Sequence, residues 1–267
     1  MRIAYRSHAG NKSYWEKRWS KLSVDQNFLD PSVYPGRYAH IFLNKKFPNG
    51  PILEAGCGLG RILRFCLRQS VTVIGFDFIY PALKKILKVE PLADLCCGDV
   101  EALPFEDSSF GGVIAFGLYH NLEFGFDGAL KETTRVMKSG GILCASFRID
   151  SLHNKIIDKF MGSRGNIAKG EFHKINYTLE EIFEVFRKSS LEVSEYFMAT
   201  NMPLSYRIRC LRYDNKNDVA DEEFGRAGGY RLSLLGKILE GAFQFFFPIQ
   251  SANLIVVFAK KVKDEGD

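Results

Sequence analysis

The stretch Ile52-Leu53-Glu54-Ala55-Gly56-Cys57-Gly58-Leu59-Gly60 decides the fold. It starts as an apolar run after Pro51, which suits a short buried strand. It ends in glycines at every second position. Arg61 to Arg68 follows, with Ile62, Leu63, Phe65, Cys66 and Leu67 giving an apolar helical face. Strand, glycine turn and helix together bring a ligand against backbone N–H groups and a helix N-terminus. Glycine suits the turn because it accepts positive φ and leaves no Cβ in the way.

The sequence downstream repeats the unit. Val71 to Phe76 is a β-branched run that ends at Asp77. The acid lies about twenty residues after the glycine turn, the separation of a ribose-binding acid in a nucleotide βαβ unit. The alternative for Asp77 is a helix N-cap, since Pro81 to Leu87 reads as helix. Ala93 to Cys97 is a third strand, followed by Gly98-Asp99-Val100. Gly111 to Phe116 is a fourth. Residues 127–137 read as a helix stopped by Lys138-Ser139-Gly140-Gly141, and Ile142 to Phe147 is a fifth strand. Such alternation predicts an α/β, Rossmann-like doubly wound sheet with helices on both faces. Ligands of such sheets sit at the carboxyl ends of the strands, where Asp77, Asp99 and Phe116 fall.

Beyond residue 147 the signals thin. His153 to Phe160 has helical spacing, and Thr178-Leu179-Glu180-Glu181 forms a capping box for a helix through Lys188. Leu191 to Phe197 and Leu254 to Ala259 complete seven strands, mostly parallel with the last antiparallel. Between those two strands residues 198–250 form an insertion, expected to be a cap. It holds Arg207, Arg209 and Arg212, a charged turn from Asp214 to Glu223, the pair Gly228-Gly229, and an apolar helix-like run from Leu232 to Phe247. Residues 1–50 read as an aromatic-rich helical lead-in, and 51–267 as the main domain.

Composition excludes little. The 267 residues are 46% hydrophobic and 25% charged with a formal net charge of +5, ordinary for a globular chain. The six cysteines form no CxxC pair and no Cys/His cluster with zinc spacing, so buried reduced thiols, a cytoplasmic setting and no metal are expected. No apolar run is long enough to span a bilayer.

Four motifs carry a family resemblance. Leu53 to Gly60 is similar to the first motif of class I S-adenosylmethionine (SAM)-dependent methyltransferases, (L/V)(D/E)xGxGxG. Gly98-Asp99-Val100-Glu101-Ala102-Leu103-Pro104-Phe105 with Ser109-Phe110 resembles their GDaexLPFxdxsFD segment. Arg135 to Gly141 resembles their RvLkPGG helix end. Phe116-Gly117-Leu118 with Asn121 resembles the FGLRN segment of the ubiquinone/menaquinone C-methyltransferases, although Tyr119-His120 interrupts it. Gly111 stands where the family often has aspartate, and Ser139 where it has proline.

The resemblance implies SAM as cofactor. It places Glu54, Gly56, Cys57, Gly58 and Gly60 on the methionine part, Asp77 on the ribose, Phe78 against the adenine, and Asp99 with Val100 at the adenine amino group. Phe116 flanks the sulfonium side. Tyr14 is expected to close over the cofactor, and Arg37 to pair with its carboxylate. His120 is the candidate base if the acceptor must lose a proton, with His153 and His173 behind it. The apolar insertion points to a small-molecule or lipid-like acceptor, with peripheral membrane contact, and no nucleic acid is expected. The rivals are an RNA (tRNA) methyltransferase, supported by the basic run 207–212, and a non-catalytic SAM-binding protein.

Overall fold

The computed structural model describes residues 1–6, 11–24, 29–162, 171–213 and 230–262. The charged turn from Asp214 to Glu223 and the pair Gly228-Gly229 lie outside the described residues. Seven strands form one sheet: β2 (Ile52–Ala55), β3 (Val73–Asp77), β4 (Asp94–Cys97), β5 (Phe110–Ala115), β6 (Met137–Arg148), β8 (Leu191–Ala199) and β9 (Leu254–Lys261). Their order is β4-β3-β2-β5-β6-β9-β8. The first five are mutually parallel, and β9 is antiparallel to both β6 and β8, as the sequence predicts.

Alternation along these strands makes two cores. Leu53, Val113, Leu143 and Val257 face one side of the sheet, and Ile52, Ile114, Cys144 and Val256 the other. A sheet buried on both faces needs this near-continuous apolar sequence. Helices α3 (Arg61–Arg68), α4 (Tyr80–Val89) and α5 (Asp127–Val136) cross between the parallel strands. Helix α7 (Leu179–Lys188) starts at the predicted capping box. The Thr178 hydroxyl accepts from the Glu181 N–H at 3.2 Å, and the Glu181 carboxylate accepts from the Thr178 N–H at 2.9 Å. Such a cap contributes about 1 kcal/mol.

Two departures matter. The predicted helix stop at Lys138-Ser139-Gly140-Gly141 is instead the start of β6, which pairs Met137 with Phe110 and then shifts register. Gly140 takes φ +75°, the left-handed region, at this irregularity. Gly111 is required by packing: a Cβ there would lie 2.1 Å from the Pro48 carbonyl oxygen, so an aspartate has no room.

The second departure is a ribbon absent from the sequence reading. β1 (Arg2–Arg6) pairs antiparallel with β7 (Glu171–Asn176), Arg2 opposite Asn176. An ionic network fastens it to the end of β6. Arg148 donates to Asn176 and Asp158, both at 2.6 Å, while Arg2 donates to Asp158 at 2.8 Å and to Asp150 at 2.6 Å. The lead-in adds α1 (Asn11–Lys21) and α2 (Gly36–Leu43). Among the described residues, the insertion between β8 and β9 holds two 3-10 turns (Leu204–Arg207 and Arg209–Leu211), helix α8 (Leu234–Phe246) and short helix α9 (Pro248–Ser251). Helix α6 (Leu152–Gly162) follows β6.

Candidate active site

The glycine turn leaves β2 at the carboxyl edge of the sheet. Gly56, Gly58 and Gly60 take φ of +74°, +54° and +68°, where side chains are strained. A Cβ would also collide: 3.1 Å from Leu118 at Gly56, 2.7 Å from Trp19 at Gly58, 2.8 Å from Ile86 at Gly60. The turn's donors are used inside the protein. Gly56 and Cys57 N–H groups donate to the Phe76 carbonyl at 2.8 and 3.0 Å, and Gly60 N–H to Cys57 at 2.8 Å. Gly58 N–H donates to Asp77 at 2.8 Å. Side chains of this chain therefore pack directly on the glycines, and the turn's N–H groups are engaged within the protein.

Asp77 is buried at the tip of β3. One carboxylate oxygen accepts from Gly58 and the other from the Ile79 N–H at 2.9 Å. With two lone pairs per oxygen, the carboxylate keeps acceptor capacity beyond these bonds. Burial lifts its carboxyl above the ordinary aspartate value, and the N–H groups of Ile79, Gly58 and Phe78 act against the rise. Asp77 thus joins the glycine turn to the lead-in of α4, whose N-cap position is Ile79 rather than Asp77.

Glu54 is buried and accepts from the Leu63 N–H at 2.7 Å, at the N-terminus of α3. Burial pushes its carboxyl up to about 8. Glu54 therefore ties strand to helix beneath the turn. Cys57 is buried with its sulfur against the β3 backbone at Gly75, so its side chain belongs to the core and burial pushes its thiol up. Phe78 is 38% exposed at the β3 tip. Asp99 is exposed beyond β4 and accepts from the Glu101 N–H at 3.0 Å, with Val100 buried beside it. Phe116 is half-buried past β5, its ring 5.8 Å from that of Tyr34. Ser146 fixes this corner, its hydroxyl 2.9 Å from the Tyr34 hydroxyl and accepting from the Gly117 N–H at 2.9 Å. Arg37 is exposed on α2.

Helix α1 is held at both ends. At one end the Asn11 amide donates to the Asn121 carbonyl at 2.7 Å. At the other, the Lys85 ammonium of α4 donates to the carbonyls of Trp19, Ser20 and Leu22 at 2.6, 2.9 and 2.9 Å. Trp19, not Tyr14, lies over the glycine turn. Tyr14 packs edge-on against His173 of β7 at 5.3 Å. The sequence reading missed Trp19 and Lys85, although the Tyr14-Trp15-Glu16-Lys17-Arg18-Trp19 helix marked the element that carries the first.

His120 sits on a 3-10 turn (Tyr119–Asn121) after β5. It is 4% exposed, and its Nδ1 has no hydrogen-bond partner among the described residues. Burial, then Lys174 and Arg148, hold its pKa well below the ordinary histidine value, against the Ser146 backbone. The ring is neutral at physiological pH. His153 has a different place: it is fully buried on α6 with Nδ1 2.8 Å from the Ser251 carbonyl, joining α6 to the insertion.

The matching family model is the methyltransferase domain, over residues 53–145. The "Uncharacterized methyltransferase YodH" of Bacillus subtilis is 30% identical over 179 residues, covering 62% of this chain and 75% of that one. The chain belongs to the class I SAM-dependent methyltransferases. SAM is the cofactor of that superfamily. The "Probable tRNA methyltransferase 9B" of Bos taurus is 31% identical over 104 residues, 38% of this chain. The chain spans only 22% of that relative's length. Among solved structures, the methyltransferase complexed with the Haloferax volcanii Trm112 activator has the same fold, at a TM-score of 0.61 and 14% identity over 96% of this chain and 98% of that one.

These relatives overturn the expected partners. The sequence reading expected a small-molecule or lipid-like acceptor with peripheral membrane contact and no nucleic acid. A relative at 31% identity is named for tRNA, so the expectation of no nucleic acid is withdrawn. The expectation rested on the apolar load of the insertion, which says that a surface is sticky without saying for what. Among the described residues, no helix is long and apolar enough to cross a membrane.

Proposed function

We infer that the protein transfers a methyl group from SAM to a nucleoside of RNA, of the tRNA type. The acceptor class rests on the relative named for tRNA, and cofactor binding on Asp77, whose carboxylate keeps acceptor capacity beside a turn that no added side chain fits. The residues fit the cofactor: Gly56, Gly58 and Gly60 admit its aminoacyl end, Asp77 takes the ribose hydroxyls, and Phe78, Asp99 and Val100 surround the adenine. Glu54 and Cys57 act from beneath the turn, and Arg37 takes the carboxylate. Residues 1–50 cover the site through α1, and residues 51–267 hold the cofactor and the 198–250 cap.

SAM, when bound, supplies an electrophilic methyl on a sulfonium sulfur. The chain's part is to hold the acceptor in line at Phe116 and to keep water out under α1, since positioning supplies much of such a rate. His120 is buried and its protonated form is disfavoured, so the acceptor's proton is not assigned to it. The relatives named for tRNA support the acceptor class, and a cytoplasmic setting is what this reading expects.

The test is transfer of labelled methyl from SAM to total tRNA. Label in the tRNA fraction is expected, and Asp77→Ala should weaken SAM binding at least tenfold. Label that enters only other fractions refutes the acceptor. Unchanged SAM affinity in Asp77→Ala removes the ribose assignment.

A further inference from the structure

The strand directions place the cap at the active-site edge. Because β9 runs antiparallel to both neighbours, β8 runs parallel to β6. Ala199 at the end of β8 and Arg148 at the end of β6 both pair with Leu254. The chain therefore leaves and re-enters the sheet at the edge that carries Asp77 and Phe116.

Helix α8 of the cap is held to the fold by one narrow face. Gly236 and Glu240 are buried and Phe243 is half-buried. They stand at i, i+4 and i+7, so they share that face. A Cβ at Gly236 would lie 2.3 Å from the Leu211 carbonyl oxygen. Glu240 accepts from the N–H groups of Leu204 and Ser205 at 3.3 and 3.0 Å. The opposite face is apolar and open. Leu234, Ile238 and Phe245 are 76%, 59% and 80% exposed along its centre, with Leu235, Leu239 and Phe246 exposed beside them. Taken on to Phe247 and Ile249 at the start of α9, this face leaves on the order of 1,000 Å² of apolar surface, at about 200 Å² for a fully exposed large side chain. The largest apolar patch on a typical monomer is about 300–600 Å². A stable interface covers about 800 Å² per partner.

The face is self-complementary. Gly241 and Ala242 are exposed at its middle, and a Cβ at Gly241 would meet nothing within 4 Å. Ile238 and Phe245 stand one turn to either side of this waist, each three or four residues from it. Two such helices crossing antiparallel at the waist set Ile238 of each copy against Phe245 of the other, with the backbones close where the side chains are small. That is the reciprocal contact of a two-fold interface. Other occupants fit less well. A membrane-surface helix carries Lys and Arg along its polar flank, whereas Lys237 is the one cation of α8. Segment 214–229 of the chain, outside the described residues, has only Val219 and Phe224 as large apolar side chains, too few to cover the face.

We propose that α8 pairs antiparallel with α8 of a second copy of this chain, crossing at Gly241 and Ala242. The pairing joins two caps, each at the edge of its own active site, and it holds whatever the methyl acceptor is.

The test is sedimentation velocity of the full chain over a micromolar concentration series. A reversible dimer is expected. Ile238→Lys and Phe245→Glu each bury an unpaired charge in the interface and should raise the dimer dissociation constant on the order of a hundredfold. An equimolar mixture of these two variants should dimerise again, because the antiparallel register sets the new cation of one against the new anion of the other. Gly241→Leu, for which the free chain has room, should also favour the monomer by blocking close approach. Far-UV circular dichroism and SAM affinity, measured on every variant, should match the parent and so exclude misfolding. A parent that stays monomeric overturns the proposal, as does a dimer indifferent to all three substitutions. A monomeric parent that binds phosphatidylcholine vesicles through Ile238 and Phe245 also overturns it, in favour of a lipid surface. A mixture that stays monomeric overturns the antiparallel pairing.

Discussion

Glu54 shows how a motif residue can serve the fold more than the ligand. Its carboxyl sits at about 8, against an ordinary 4.5, because it is buried. Between those values the folded protein keeps a proton that the unfolded chain has released. Stability therefore falls as pH rises through that window. Glu54→Gln keeps an acceptor for the Leu63 N–H but has no charge to bury. Urea unfolding at pH 5, 6.5 and 8 should show a decline in the parent and a flatter profile in the variant. Identical slopes would mean that Glu54 is ionised in the fold. At this scale the sequence was informative where chemistry is local. Asp77 follows from its spacing to the glycines, and the glycines from their own backbone demands. It was uninformative for His153, whose spacing resembles that of any amphipathic helix and whose partner, Ser251, is about a hundred residues away.

At the scale of elements, α1 is the part of the lead-in that packs on the glycine turn, through Trp19. The chain has two tryptophans, Trp15 and Trp19, and both lie on this helix, stacked with ring centroids 5.5 Å apart. Intrinsic fluorescence is thus a direct report on it. Titration with S-adenosylhomocysteine should change the emission, and Lys85→Ala, which removes three hydrogen bonds from the end of α1, should weaken SAM binding several-fold. Constant emission at saturation would show that α1 does not contact the cofactor. The sequence made the helix visible through its aromatic residues. It did not show which ring would cover Gly58, because that depends on how α1 docks on α4.

For the whole molecule, the β1–β7 ribbon is held to the sheet by ions. Arg148 and Asp158 have side chains only 9% and 12% exposed. Removing Arg148 leaves Asp158 with Arg2 as its remaining cation, so the cost is that of lost charge-assisted hydrogen bonds, on the order of 2 kcal/mol. Arg148→Ala should lose about that much in denaturant unfolding with one transition. A loss below about 1 kcal/mol, or a separate early transition, would show that the ribbon folds independently of the sheet.

The sequence by itself determined the succession of the seven main-sheet strands and their crossover helices, the glycine turn and the acids at the strand tips. Each is set by periodicity or by backbone constraints that act over a few residues. Only the tertiary structure decided what surrounds the turn. The pairing of Arg2 with Asn176, the seat of Trp19 on Gly58 and the return of the cap to the site edge all join residues far apart in the chain. Such contacts form because apolar faces and ionic groups must find partners somewhere, and local sequence does not say where.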